Sequence, residues 1–204
     1  MVPDVSGSDR SGVFDAPCLL APTTLDAPER TLETWLDPPT RYRSAGESDL
    51  AAIVAIERAA FERPAERFHE RQIRRLLNNP RARAFVAEHD GVAGWAVGLI
   101  RRHGAIGARK TGRLYAIAVH PDRTGRGYGR ALAERVLHAL AEEGVERVSL
   151  EVRADNTTAQ RLYRSLGFVH TRSLVDYYGP GMDGLRMRRT HHPNPHPCPA
   201  TIDP

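Results

Sequence analysis

The densest concentration of potential chemistry is one turn, Gly125-Arg126-Gly127-Tyr128-Gly129-Arg130. It follows an apolar run ending at Val119 and precedes a run with helical periodicity. Glycines let main-chain N–H groups approach a ligand with no Cβ in the way. The start of a helix adds N–H donors that lack intrahelical partners, together with a partial positive charge. Such a turn suits an anion, most naturally a pyrophosphate, and Arg123, Arg126 and Arg130 add charge for further phosphates. The turn has no GK[ST] ending, so it is not a Walker A loop. Arg130 stands where the dinucleotide fingerprint GxGxxG requires its third glycine. A strand-to-helix turn with no ligand is the competing reading.

A second candidate is a carboxylate. The run Val148-Ser-Leu-Glu-Val-Arg153 alternates, which puts Ser149, Glu151 and Arg153 on one face of a strand. On an edge strand that face is simply solvated, whereas on an internal strand a carboxylate there needs a reason. Asn156 lies just beyond, where its side chain is placed to cap the next helix.

These groups are positioned by an alternation of strands and helices. A short strand is expected at 41–45, then a helix capped by Ser48 or Asp49 and running to Phe61, with Leu50, Ile53, Val54 and Ile56 on its apolar face. A second helix is expected over 65–78 and a strand over 84–89. Asp90-Gly91 signals a two-residue hairpin into a return strand over 92–100. A basic loop (101–111) leads to a strand over 112–119. After the glycine turn a helix runs to Glu143, and Gly144 ends it. A strand at 147–152, a helix at 157–166 and a final strand pair at 168–174 and 185–188 complete a mixed α/β sheet with helices on its faces.

Charge is unevenly spread. Residues 1–40 carry seven acids against Arg10 and Arg30, a balance of −5, so the +4 of the whole chain leaves +9 for residues 41–204. A basic domain suits an anionic partner, although Lys110 is the only lysine and a GC-rich coding sequence also explains so much arginine. Residues 1–40, rich in Pro, Asp, Ser and Thr, are expected to form a disordered acidic extension, and residues 190–204 an irregular His- and Pro-rich tail. His191, His192 and His196 are read as solvated tail residues, and Cys18 and Cys198 form no disulfide framework, so no metal site is expected. The start lacks the basic and apolar regions of a signal peptide. The longest apolar stretch, 92–100, is too short for a bilayer and is broken by Gly94 and Gly98. A cytoplasmic protein without membrane contact is expected. The scattered positive charge, with no aromatic platform, argues against specific nucleic-acid binding.

Val119-x-Pro121 followed by Gly125-Arg126-Gly127-Tyr128-Gly129 resembles motif A of the GNAT acetyltransferases. Asn156-x-x-Ala159-x-x-Leu162-Tyr163-x-x-x-Gly167-Phe168 resembles their motif B. The resemblance covers residues 41–189. It implies the acyl-CoA N-acyltransferase fold, a mostly antiparallel sheet splayed between its fourth and fifth strands. It also implies acetyl-CoA as co-substrate, with the turn 125–129 on its phosphates, main-chain groups of Ile117, Ala118 and Val119 along its pantetheine arm, and Asn156 nearby. Thr124 occupies a position that is usually Gln or Arg in the family, with Arg123 one residue earlier, so one side-chain contact to a phosphate differs.

By the same resemblance Tyr163 lies beside the CoA sulfur and donates a proton to the leaving thiolate. A phenol, with a reference pKa of about 10, keeps its proton at neutral pH. Glu151 is the leading candidate for the base that takes the amine proton, with Tyr115 or ordered water as alternatives. The stretch Leu150–Asn156 with Leu162-Tyr163 and Gly167-Phe168 is similar to ribosomal-protein alanine N-acetyltransferases of the RimI type, as is the segment from Asp176-Tyr177-Tyr178-Gly179 to Met187. That similarity implies a protein or peptide N-terminus as acceptor, a ribosomal protein among the candidates, with Tyr177 and Tyr178 holding its backbone. A small amine, a protein lysine and a non-catalytic acyl-CoA sensor are the other readings.

Overall fold

The computed structural model describes residues 39–102 and 109–190. The expected acidic extension and His/Pro-rich tail lie outside the described residues, apart from residues 39, 40 and 190. Among the described residues seven strands and four α-helices follow the expected order: β1 (Arg41–Ser44), α1 (Leu50–Ala60), α2 (Glu70–Leu77), β2 (Ala82–Glu88), β3 (Val92–Arg102), β4 (Lys110–Val119), α3 (Tyr128–Glu142), β5 (Val145–Arg153), α4 (Thr157–Ser165), β6 (Val169–Leu174) and β7 (Gly184–Thr190). They form one mixed sheet in the order β1-β2-β3-β4-β5-β7-β6. Every neighbouring pair is antiparallel except β4 and β5.

The second helix is shorter than expected. Pro64–Glu66 is a separate 3₁₀ turn, and α2 begins only at Glu70. Pro64 fits the first position of that turn because its missing N–H is not needed there. The Asp90-Gly91 hairpin forms with both residues at positive φ, 48° and 89°, as the primed turn demands. Gly144, at φ 75°, ends α3.

Two cores flank the sheet. On one face α1 and α2 lay Ile53, Ile56, Ile73 and Leu76 over Val86, Trp95 and Val97. On the other, α3 and α4 bury Leu132, Val136, Leu140 and Leu166 with Ala96, Leu150, Phe168 and Met187. Strand alternation explains the glycines that interrupt β3: Gly94, Ala96 and Gly98 point toward α3, which crosses them closely. A Cβ on Gly98 would sit 2.5 Å from Val136 Cγ1. Among the described residues no helix is long and apolar enough to cross a membrane.

The central pair does not stay together. β4 and β5 are in register only from Lys110↔Val145 to Arg113↔Ser149. Opposite β3, Val97 pairs Ala116 while Gly98 pairs Leu114, so Tyr115 is an extra residue on β4. A bulge of this kind bends its strand and increases the local twist. Around it, residues 114–119 have no pairing with β5, and a gap opens in the sheet.

Gly98→Ala is expected to lower unfolding free energy by about 1–3 kcal/mol, because the methyl meets a branched side chain held in a packed helix. Urea denaturation checks this, and an unchanged midpoint would show that α3 moves aside freely.

Candidate active site

The gap between β4 and β5 is the throat of a cleft of about 320 Å³. Its walls come from both faces of the sheet. Ala159 and Tyr163 of α4 and its cap Asn156 lie on one side, and Glu57, Phe61, Glu66 and Phe68 from the α1–α2 region on the other. Tyr115 and Ile117 of β4, Glu151 of β5, and Tyr177 and Tyr178 of the β6–β7 connection complete it. The candidates Glu151, Tyr163, Tyr115, Ile117, Asn156, Tyr177 and Tyr178 thus converge on one site. A larger hollow of about 500 Å³, bordered by Tyr42, Phe85 and His138, contains none of them.

Glu151 sits on an internal strand with its side chain only 5% exposed. Two guanidiniums answer its charge: Arg186 Nε donates to Oε1 at 3.0 Å, and Arg113 Nη2 lies 2.6 Å from Oε2. The second contact is close but not aligned as a hydrogen bond, and Oε2 is buried with no hydrogen-bond partner among the described residues. Arg113 also donates to the Tyr177 hydroxyl at 3.3 Å and stacks over the Tyr115 ring at 5.0 Å. Reading the sequence alone misses both arginines, because their approach depends on the Arg113↔Ser149 and Glu151↔Arg186 registers.

Tyr163 lies along the cleft, its ring 6.0 Å from that of Phe168. Crowding by protein pushes its phenol up to about 12, so the group carries its proton throughout the neutral range. Tyr178 is also raised, first by burial and then by Tyr177, Glu151 and Tyr163, against the pull of Arg113. Tyr177 stands edge-on to it at 5.0 Å. Tyr115 packs against Phe68 at 5.3 Å and forms part of the apolar wall.

Glu57, which sequence reading also misses, is a second carboxylate in the cleft. Its carboxylate accepts from the Trp95 indole N–H at 2.9 Å and from the Phe68 N–H at 3.0 Å. Burial raises its pKa, and these two donors only partly oppose the shift. A signal existed: Glu57 shares the apolar stripe of Ile53 and Ile56, where a charge is costly unless it is partnered.

Around the glycine turn the backbone matches the expected cradle. Gly125 and Gly127 take φ 78° and 82°, and a Cβ on either would meet nothing within 4 Å. The first bond of α3 runs from the Ala131 N–H to Gly127 O at 3.1 Å, so the N–H groups of Tyr128, Gly129 and Arg130 precede the helical ladder. Several side chains here also have partners within the protein. Arg123 donates to His89 O at 2.7 Å and Asp90 O at 3.3 Å, and so braces the β2–β3 turn. Arg130 donates to Ser165 Oγ at 2.6 Å, and Thr124 Oγ1 to Pro121 O at 2.9 Å. The Tyr128 ring is buried, which leaves only its main chain for a ligand. Arg126 remains exposed. Along the splayed part of β4, residues 117–119 pair only with β3, so their groups toward β5 face the gap. Asn156 Oδ1 caps α4 by accepting from the Ala159 N–H at 2.9 Å, while its amide N–H groups point elsewhere.

A sheet split beside a glycine cradle, with a buried carboxylate and a protonated phenol in the split, defines the acyl-CoA N-acyltransferase class. The model of the acetyltransferase (GNAT) family matches residues 50–168, more than half of the chain, and the protein belongs to that family. The [ribosomal protein bS18]-alanine N-acetyltransferase of Escherichia coli K12 is 46% identical over 71 residues, 35% of this chain and 47% of that protein. A mycothiol acetyltransferase of Kocuria rhizophila is 49% identical over 57 residues, 28% of this chain and 19% of that protein. The chain therefore spans less than half the length of these curated relatives. The crystal structure of the Escherichia coli ribosomal-protein-S18-alanine N-acetyltransferase superposes with a TM-score of 0.64 at 29% identity, covering 74% of this chain and 94% of that one.

Glu57→Gln offers one acceptor oxygen where two donors need one each, and is expected to lose about 1–3 kcal/mol of stability. Because the folded carboxyl holds its proton more tightly than the unfolded one, its contribution is full below the ordinary glutamate range. It is lost as pH rises through the raised value. The difference between wild type and variant should therefore narrow with rising pH in denaturation curves, and a pH-independent difference would contradict this.

Proposed function

We propose that the protein transfers acetyl from acetyl-CoA to the N-terminal α-amine of a polypeptide. The observation that carries this is the convergence of Glu151 and Tyr163 on a split between β4 and β5, bordered by Tyr177 and Tyr178. The open space over Gly125 and Gly127 and the N–H groups of residues 128–130 fit a pyrophosphate. The strand edge at 117–119 suits the amide-bearing arm of the same molecule, and Asn156 has amide N–H groups to add. The bound co-substrate supplies the thioester carbonyl, and the remaining work falls to side chains of the protein.

An ammonium cannot attack, so its proton must leave first. Glu151 draws the cationic amine into the cleft and takes that proton directly or through water. Arg113 and Arg186 hold the carboxylate in place beside the cleft. Tyr163 supplies a proton to the departing sulfur, a task for which a phenol kept neutral by burial is suited. Tyr177 and Tyr178 stand where the acceptor backbone enters. The similarity to an enzyme named for a ribosomal-protein alanine supports an N-terminal acceptor, and that protein's substrate class is our leading choice. A small amine, the second reading, is favoured by the likeness to mycothiol acetyltransferases.

Tyr163→Phe is expected to keep acetyl-CoA affinity and lower kcat by about 10²- to 10⁴-fold, the range of a lost general acid. Steady-state kinetics on N-terminal peptides checks this, and unchanged kcat would remove Tyr163 from the reaction. Glu151→Gln should be slow at pH 7 and recover partly near pH 9, because a peptide α-amine with a reference pKa of about 7.7–8.0 is by then mostly neutral. A lysine acceptor, at about 10.4, would recover only at higher pH. Identical pH profiles for variant and wild type would hand the proton to water or Tyr115.

A further inference from the structure

The α1–α2 layer covers only part of its face of the sheet. Beyond it, β3, β4, β5 and β7 present a row of polar side chains, and five of them are arginines: Arg101, Arg113, Arg147, Arg186 and Arg188. They line a hollow of about 280 Å³ in which Glu151 is the only acid. Register explains the crowding. Arg101 pairs Thr111, which pairs Arg147, while Arg113 pairs Ser149, which pairs Arg188. Side chains in neighbouring registers on one face lie about 5–8 Å apart, and like charges at that spacing repel. Glu151 answers only Arg113 and Arg186. Among the described residues, Arg101, Arg147 and Arg188 have no carboxylate within ion-pair distance, and all three are exposed.

The hollow adjoins the acceptor cleft, with Arg113 and Glu151 lining both. A polypeptide with its amine at Glu151 advances about 3.3 Å per residue when extended. Its first residues are therefore within reach of Arg147 and Arg188. The hollow is small and bounded by Glu151, which suits a side-chain carboxylate gripped by a guanidinium fork better than a continuous nucleic-acid backbone. We propose that this basic hollow receives an acidic side chain of the acceptor, within about the first five residues after the acetylated amine, and so selects acidic N-terminal segments. The proposal rests on the reading of the cleft as an N-terminal acceptor site.

The test uses the full chain, wild type and Arg147→Glu/Arg188→Glu, with three peptides alike except for Glu, Gln or Lys at positions 2–5. In one arm kcat/KM is measured with acetyl-CoA. In the other, binding of the same peptides, and of a short RNA oligonucleotide, is measured by fluorescence anisotropy. Wild type should favour Glu over Gln by about three- to tenfold, the scale of one or two exposed ion pairs. The preference should shrink in high salt, and the double variant should favour Lys. Arginine-dependent binding of the Glu peptide without turnover of any peptide would support the hollow and overturn the N-terminal reading. Turnover with no Glu preference, or a preference that survives in the double variant, would overturn the hollow and leave that reading standing. RNA binding that needs Arg147 and Arg188, without Glu-peptide binding, would overturn the proposal in favour of nucleic acid. Absence of both turnover and binding would overturn both.

Discussion

Parting of β4 from β5 beyond Arg113 and Ser149 is the constraint on which the rest of the molecule depends. A continuous sheet would saturate the main-chain groups of both strands and seal the two faces from each other. Here the extra residue at Tyr115 bends β4 away. The price is a set of main-chain groups with no strand partner, tolerated because the gap opens to solvent and ligand. The benefit is a passage between faces: groups carried by α4 on one side and by the α1–α2 region on the other reach a common space.

The passage imposes an electrostatic problem that the surrounding strands solve. A carboxylate 5% exposed on an internal strand is strongly unfavourable without cations. β4 and β7 flank β5, and each contributes one arginine directly to Glu151. Arg113 then has two further neighbours, Tyr177 and Tyr115, so the charge, the aromatic wall and the β6–β7 connection are tied together. Glu57 is handled differently. Burial raises its pKa, and the donors it meets are neutral ones, an indole and a main-chain N–H, that only partly oppose the shift and mark it as a brace between α1, β3 and the segment before α2.

Much of this was legible in the sequence, and what was not has a common cause. Element order, the Asp90-Gly91 hairpin, the glycine turn and the Asn156 cap are local, set by backbone conformation and spacing within a few residues. The alternation around Glu151 was local as well. The partners of Glu151 are not: Arg113 lies 38 positions before it and Arg186 lies 35 after it in the chain, and only strand register brings them together. The bracing role of Arg123 is hidden from the sequence for the same reason. Its position beside the glycine turn is local, but its partners, His89 O and Asp90 O, belong to a hairpin that the sheet folds back against it. Tyr128 shows that even within a motif, main chain and side chain can serve different ends, the first facing the cradle and the second buried in the core.

The distribution of arginine follows from the same logic. Arg153 is held by Glu66 and Asp155, and Arg43 by Asp49 and Glu88, so a large part of the domain's positive charge is consumed in structural pairs. Net charge alone therefore says little about where an anion binds. What distinguishes the β3–β4–β5–β7 face is that its arginines outnumber the acids lining the same hollow, with their backbone positions set by sheet spacing. Its charge meets the cleft at the Arg113–Glu151 contact, where one guanidinium lines both the hollow and the space around the carboxylate of the proposed reaction.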